Sequence, residues 1–228
     1  MDSTLSATTE GTPLLLPPGR SSSADAAMVD AGRSSAAGTA LLPPYKLAAL
    51  QRRPPDLHLS AFALLFAECI AYAQNRVLSV AELEYKLQQL GVDVGRRLLA
   101  LVCLRERQVR RETRLLPVLR FITSTVWRYL FRKVADSLER VKDKNNEYMI
   151  VENDPLFTKY ISVPSDLGDL NCNAFLAGMV MGMLCSSGFA CVVQAHHVPR
   201  TDGAAYPPRT VLSIQFDPAV VQREVQMS

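Results

Sequence analysis

Residues Asn171 to Gly188 read NCNAFLAGMVMGMLCSSG, and this stretch decides the fold. Asn171 or Asn173 is suited to cap a helix start, because a short side-chain oxygen accepts first-turn N–H groups. Gly188 is suited to the left-handed residue that ends one. The apolar run between them, Ala174 to Cys185, is shorter than the roughly 20 residues that cross a bilayer, so it predicts a core helix and not a membrane span. Ala174, Gly178 and Gly182 recur every fourth residue and form one smooth side, while Phe175, Met179, Met183 and Leu184 fill the others. Each helix-internal glycine costs about 1 kcal/mol relative to alanine, which close packing of Gly178 and Gly182 against a neighbour would offset.

The rest of the chain supplies what this helix packs against. Its 228 residues are 48% hydrophobic, enough for one domain with a sizeable core. The formal net charge of +3 conceals an asymmetry: Arg96 to Lys133 holds eleven basic residues against Glu106 and Glu112, a net +9 that leaves −6 elsewhere. Five cysteines, Cys69, Cys103, Cys172, Cys185 and Cys191, are odd in number and include no Cys-x-x-Cys pair. They read as small buried hydrophobes in a reducing, cytosolic compartment, not as a disulfide framework or a zinc site. Residues 1–56 are rich in Ser, Ala and Pro without sustained apolar periodicity, which predicts a disordered tail. Leu14 to Leu16 is too short for a secretory signal core. Glu10 followed by Leu14-Leu15 has the spacing of an acidic dileucine signal.

From residue 57 to 228 the pattern predicts a single α+β domain. Leu57 to Gln74 reads as a helix whose apolar stripe, Phe62, Leu65, Phe66, Cys69 and Ile70, is widened by Ala61 and Leu64 beyond what one buried contact requires. Ser79 with Glu82 forms a capping box opening a second helix to Leu90, with Val80, Leu83, Leu87 and Leu90 on one side. These two faces either cover the domain's own core or meet a partner, and Phe62, Leu65, Phe66, Leu83 and Leu87 are the interface candidates. A third helix is expected from Val94 to Arg105. A long fourth follows Arg111-Glu112-Thr113, with Leu115, Leu119, Ile122, Val126 and Leu130 at helical spacing. Tyr148 to Val151 and Tyr160 to Val163 read as short strands. Phe189 to Val198 and Thr210 to Phe216 read as two more after the central helix. The order is helices, then β-β-α-β-β, which favours an antiparallel sheet packed against helices.

Several of these segments, in order, carry a resemblance: Leu59 to Phe66, Arg76 to Leu83, Arg111-Glu112-Thr113, Tyr160 to Pro164, and Leu170-Asn171-Cys172 with Phe175. From about Leu57 to Val221 the chain resembles the small subunits of the transport protein particle (TRAPP), a vesicle-tethering and Rab-activating complex. The resemblance implies an α+β subunit that pairs with related subunits through helical faces. It also implies a place in a platform for Rab GDP release at endoplasmic reticulum and Golgi membranes, peripheral and cytoplasmic. Residues 1–55 have no counterpart in the family, and Pro199 to Arg209 reads as an insertion. A related subunit carries a fatty-acylated cysteine shortly before its Arg-Glu-Thr turn; here Arg107 stands at that place, so acylation is not carried over.

Catalytic and cofactor motifs are missing. His58, His196 and His197 are the only histidines, and adjacent strand residues point to opposite faces, so His196 and His197 do not chelate one metal. The sequence has no Gly-x-x-x-x-Gly-Lys loop and no Gly-x-Ser-x-Gly elbow. No cofactor, metal or nucleic-acid partner is expected. The competing class is a small-molecule, lipid or haem-binding sensor whose pocket is lined by Met179 to Met183; methionines at successive odd positions point in different directions, which favours core packing. Arg107, Arg110, Arg111 and Arg114, with Arg105, Arg120, Arg128 and Arg132, are expected to project towards an acidic partner subunit or an anionic membrane.

Overall fold

The structure, a computed structural model, describes residues 57–106, 111–142, 144–168, 170–199 and 208–227. All of them belong to one compact unit, Leu42–Ser228. The expectations for residues 1–56, and most of the Pro199 to Arg209 stretch, lie outside the described residues.

The central helix, α5 (Ala174–Ser186), is buried along nearly its whole length. It ends as its sequence predicts: Gly188 takes φ +88°, its N–H donates to the Cys185 carbonyl at 3.1 Å, and the Phe189 N–H donates to the Leu184 carbonyl at 3.0 Å. This paired closure satisfies carbonyls that the helix end would otherwise leave open. Its start differs. Asn173 makes no side-chain cap; instead the Asn171 Oδ1 accepts the Asn173 N–H at 3.0 Å, and the Asn173 amide donates into the sheet, to Thr210 Oγ1 at 2.9 Å.

Before α5 come α1 (Leu59–Gln74) and α2 (Val80–Glu106). The expected break between a second and a third helix is absent, because α2 runs unbroken for 27 residues. The physical reason lies across the interface. A methyl group on Gly91 or Gly95 would strike the carbonyl oxygens of Phe175 and Met179, and one on Gly178 or Gly182 would strike those of Gln88 and Val92. Two Gly-x-x-x-Gly rows thus face each other from α2 and α5, running in the same direction, with backbone against backbone. The contact replaces side-chain packing with Cα–H···O approaches, each weakly favourable, and offsets the propensity cost of four helical glycines. The capping box opens α2 with a one-residue shift: the Glu82 N–H donates to Ser79 Oγ, and the Glu82 carboxylate accepts the Leu78 N–H, both at 3.2 Å.

The fourth expected helix is present but not uniform. It comprises α3 (Leu115–Arg120), a π-helical segment (Phe121–Val126) and α4 (Trp127–Phe131), and it ends on Arg132 at φ +60°. Hydroxyls drive the widened turn: Thr123 donates back to the Leu119 carbonyl at 3.0 Å and Ser124 to that of Arg120 at 2.5 Å, competing with the regular ladder. After it, Trp127 is fully buried, with Nε1 donating to the buried Glu152 at 3.0 Å, and Lys133 pairs with the same carboxylate. Lys133 is therefore turned inward within the basic stretch.

Four antiparallel strands, β1 (Ser137–Arg140), β2 (Glu147–Glu152), β3 (Cys191–Val198) and β4 (Arg209–Phe216), form a sheet in the order β1-β2-β4-β3. The α+β class stands, but one strand is displaced. Ser137–Arg140 pairs with β2, Leu138 opposite Ile150, so the polar Lys142 to Asn146 segment joins two strands of a hairpin. Tyr160 to Val163 forms no strand; Tyr160 is 63% exposed and no ladder partner lies beside it. Ile150, Val193, Leu212, Ile214 and Phe216 make up the helix-facing row, each buried. The edge strand β3 is blunted: Gln88 Nε2 donates to the Val193 carbonyl at 2.7 Å and Asn171 Nδ2 to that of Ala195 at 2.8 Å. Side-chain amides thus occupy groups that would template another strand. A C-terminal helix not expected from the sequence, α6 (Pro218–Gln226), begins with Asp217 as cap, accepting the Ala219 N–H at 2.8 Å, and Pro218 in its first turn.

Phe157, in the loop after β2, joins the helical layers. Its ring meets Phe62 at 4.9 Å, Phe131 at 5.3 Å, Phe175 at 5.5 Å and Phe66 at 6.0 Å between centroids, mostly edge to face. Truncation at Phe157→Ala should cost about 3 to 5 kcal/mol. Gly182→Leu should destabilise by about 1 to 3 kcal/mol or more, since a backbone carbonyl cannot yield as a side chain can. Thermal melting of both variants checks these expectations; an unchanged midpoint for Gly182→Leu would mean the two glycine rows are not in contact.

Candidate interaction surfaces

Helix α1 is apolar on more sides than the core uses. Phe66 and Ile70 turn inward, whereas Leu64, Leu65 and Tyr72 are 71%, 64% and 62% exposed, and Ala61, Ala67 and Ala71 lie exposed among them. Glu68 is the single charged residue of the helix. On α2, Tyr85, Leu90 and Val94 are exposed as well. An apolar surface of this extent on helices is the form of a protein interface.

The five residues singled out from the sequence divide here. Leu65 faces solvent, Phe62 is half-buried against Phe66 and Phe157, and Phe66, Leu83 and Leu87 are 3%, 1% and 0% exposed, within the chain's own core. The apolar stripe is wider than the core uses, and which residues are in surplus depends on where α5 and Phe157 lie. Leu64, Tyr72 and Tyr85 are surface residues that the interface candidates omitted.

The basic surface is also rearranged. Arg107 and Arg110 lie outside the described residues. Arg114 is committed to the carbonyl of Met227, and the Arg111 guanidinium lies against Gly188. The Glu224 carboxylate of α6 accepts the Leu115 N–H at 3.0 Å, capping α3, whose own preceding residue Arg114 supplies no cap. Arg223 donates to the Gly188 carbonyl at 3.1 Å and sits over the Phe189 ring. The start of α3 and the end of α6 thus hold each other, and Arg96, Arg97, Arg111, Arg114, Arg120, Arg128 and Arg132 are exposed.

Two clefts open on this unit. One, of about 670 Å³, lies beside the start of α5, its walls including Glu84, Ile161, Ser162, Asn171 and His197. Burial, reinforced by the nearby negative Glu84, pushes the Cys172 thiol in its floor up to about 11, so the sulfur is protonated at neutral pH and is a poor nucleophile. The other, about 460 Å³ and largely apolar, lies between the start of α1 and Tyr129 to Arg132. Met179 and Met183 line neither; both are buried in the core. His196 reaches Ser213 at 3.1 Å and His197 reaches the Asn173 amide at 3.4 Å, on opposite faces of β3. Among the described residues no group of three or more His, Cys, Asp or Glu side chains is placed to hold a metal, and no helix is long and apolar enough to cross a membrane.

Helices with spare apolar surface, over a four-stranded antiparallel sheet centred on one buried helix, define a class of small α+β assembly subunits. The chain belongs to the transport protein particle (TRAPP) component family, whose model matches residues 62–217. Proteins named trafficking protein particle complex subunit 5 are similar to it over most of their length. The one from Dictyostelium discoideum is 45% identical over 174 residues, 76% of this chain and 92% of the relative. That from Gallus gallus is 46% identical over 77% of this chain and 88% of its own, and the Homo sapiens protein 43% over 77% and 89%. Among solved structures, a trafficking protein particle complex subunit 3 from Naegleria fowleri, covalently bound to palmitic acid, has a similar fold. The TM-score is 0.57 at 15% identity, over 70% of this chain and 95% of that one.

Leu65→Asp should leave a folded, soluble chain, whereas Phe66→Asp buries a carboxylate among aromatic rings and should abolish soluble expression; soluble yield and melting of the two variants decide it. Glu224→Ala should lower stability by about 0.5 to 2 kcal/mol through loss of the α3 cap, measured by denaturant titration.

Proposed function

We propose that this chain is a non-catalytic core subunit of a TRAPP-like vesicle-tethering complex. In this reading it supports nucleotide exchange on a Rab GTPase in endoplasmic reticulum-to-Golgi and Golgi traffic, from the cytoplasmic side of those membranes. The exposed apolar face of α1, Leu64, Leu65 and Tyr72 with a lone Glu68, carries the reading. An isolated subunit gains nothing from such a face, whereas burial of each large side chain against a related subunit contributes about 1.5 to 3 kcal/mol. The names of the relatives support assembly into such a complex. The buried methionines of α5 favour this reading over a haem or lipid sensor.

Exchange requires groups inserted against the phosphate and Mg²⁺ site of the GTPase, so activity belongs to the assembly. GDP release from candidate Rabs should be unaccelerated by this chain at micromolar concentration and accelerated by the assembled complex; robust exchange by the chain alone would overturn the subunit reading. Leu65→Asp should abolish co-purification with partner subunits.

The exposed arginines are assigned to an acidic partner subunit or to an anionic membrane, where each basic residue near the surface contributes about 1 kcal/mol. Arg120→Glu with Arg128→Glu, in an intact complex, should reduce sedimentation with phosphatidylserine-containing liposomes. Unchanged binding would rule out the membrane role for this face, and loss of the complex would assign it to a subunit contact.

A further inference from the structure

Two of the five cysteines are brought together where α5 hands the chain to β3. Cys185 lies on the last turn of α5, exposed, with its sulfur 3.9 Å from the carbonyl oxygen of Cys191. Cys191 opens β3 on the helix-facing row with Val193, partly buried against the core, so the Cys185 sulfur lies against the residue that carries the second thiol. The turn between them is fixed, because Gly188 is held by the paired closure of α5 and its carbonyl by Arg223. Cys172 sits before the other end of α5, about 20 Å away at about 1.5 Å of rise per residue, and does not compete.

We propose that Cys185 and Cys191 are a reversible dithiol–disulfide pair, oxidised by hydrogen peroxide, that clasps the end of α5 to the edge strand. The exposed Cys185 is the sulfur that the oxidant reaches. It attacks one peroxide oxygen, the O–O bond breaks, a first water leaves, and Cys185 becomes a sulfenic acid. The Cys191 sulfur then attacks Cys185: the S–S bond forms, the S–O bond breaks, and the hydroxyl departs with the Cys191 proton as a second water. Two thiols lose two electrons and two protons, and the peroxide is reduced to two waters. Burial pushes the Cys191 thiol far above its ordinary range. It is therefore not the first site of attack, and it reacts only when the departing hydroxyl of the neighbouring sulfenic acid takes its proton.

The test uses the purified full chain treated with hydrogen peroxide. Intact mass should fall by two hydrogen atoms and be restored by dithiothreitol. Chymotryptic cleavage after Phe189 separates the two cysteines, so their peptides should co-elute until reduced. In Cys191→Ser, Cys185 should instead gain oxygen, with no linked peptide. The oxidised wild type should melt higher than the reduced protein, a difference that Cys191→Ser lacks. The proposal is overturned if the wild type gains oxygen without losing hydrogens, if the linked peptide contains Cys172, if the linkage persists in Cys191→Ser, or if oxidation leaves the melting temperature unchanged.

Discussion

Everything in this domain is arranged around a contact with almost no side chains in it. Gly91 and Gly95 of α2 meet Gly178 and Gly182 of α5 so closely that the carbonyl oxygens of each helix lie where a methyl group on the other would be. This approach leaves the remaining sides of α5 free for the sheet and the aromatic cluster, and α5 becomes a spine apolar all round. It also makes the spine intolerant, because a carbonyl has no alternative rotamer to relieve a clash.

The interior is not wholly apolar, and its polar groups tie the layers at defined points. Glu152 on β2 takes the Trp127 indole N–H and the Lys133 ammonium, joining the π-widened helix to the sheet. Asn173 donates to Thr210 on β4 and to Thr158 in the loop that carries Phe157. Asn171, bonded by its own N–H to Glu84 of α2 at 2.7 Å, turns its amide to the edge of β3. Removing one partner from such a set leaves a buried group unsatisfied, which costs more than the bond itself contributes.

With the core closed, the exterior differs from helix to helix. The exposed face of α1 is apolar and nearly uncharged, α2, α3 and α4 carry exposed arginines, and part of the basic charge is committed within the chain, Arg114 to the Met227 carbonyl and Lys133 to Glu152.

The sequence by itself determined the spine, its left-handed ending at Gly188, the close approach at Gly178 and Gly182, and the α+β order, because each is written in local spacing and glycine chemistry. It showed that α1 is more apolar than one contact needs. The Asp217-Pro218 start of α6 is local chemistry too, a capping carboxylate followed by a first-turn proline. Only the tertiary structure decided the rest. Residues 91–93 read as a break between two helices until the α5 carbonyls opposite Gly91 and Gly95 explain an unbroken α2. The β-prone Tyr160 to Val163 joins no strand of the sheet, while the polar Ser137–Arg140 pairs with β2. Phe66, Leu83 and Leu87 cannot be told from Leu64 and Leu65 by spacing, since all lie on a stripe wider than the core. What turned three inward and left two outside was the position of α5 and of Phe157, which lie about seventy to one hundred and twenty residues away in the chain, a separation that no local pattern encodes.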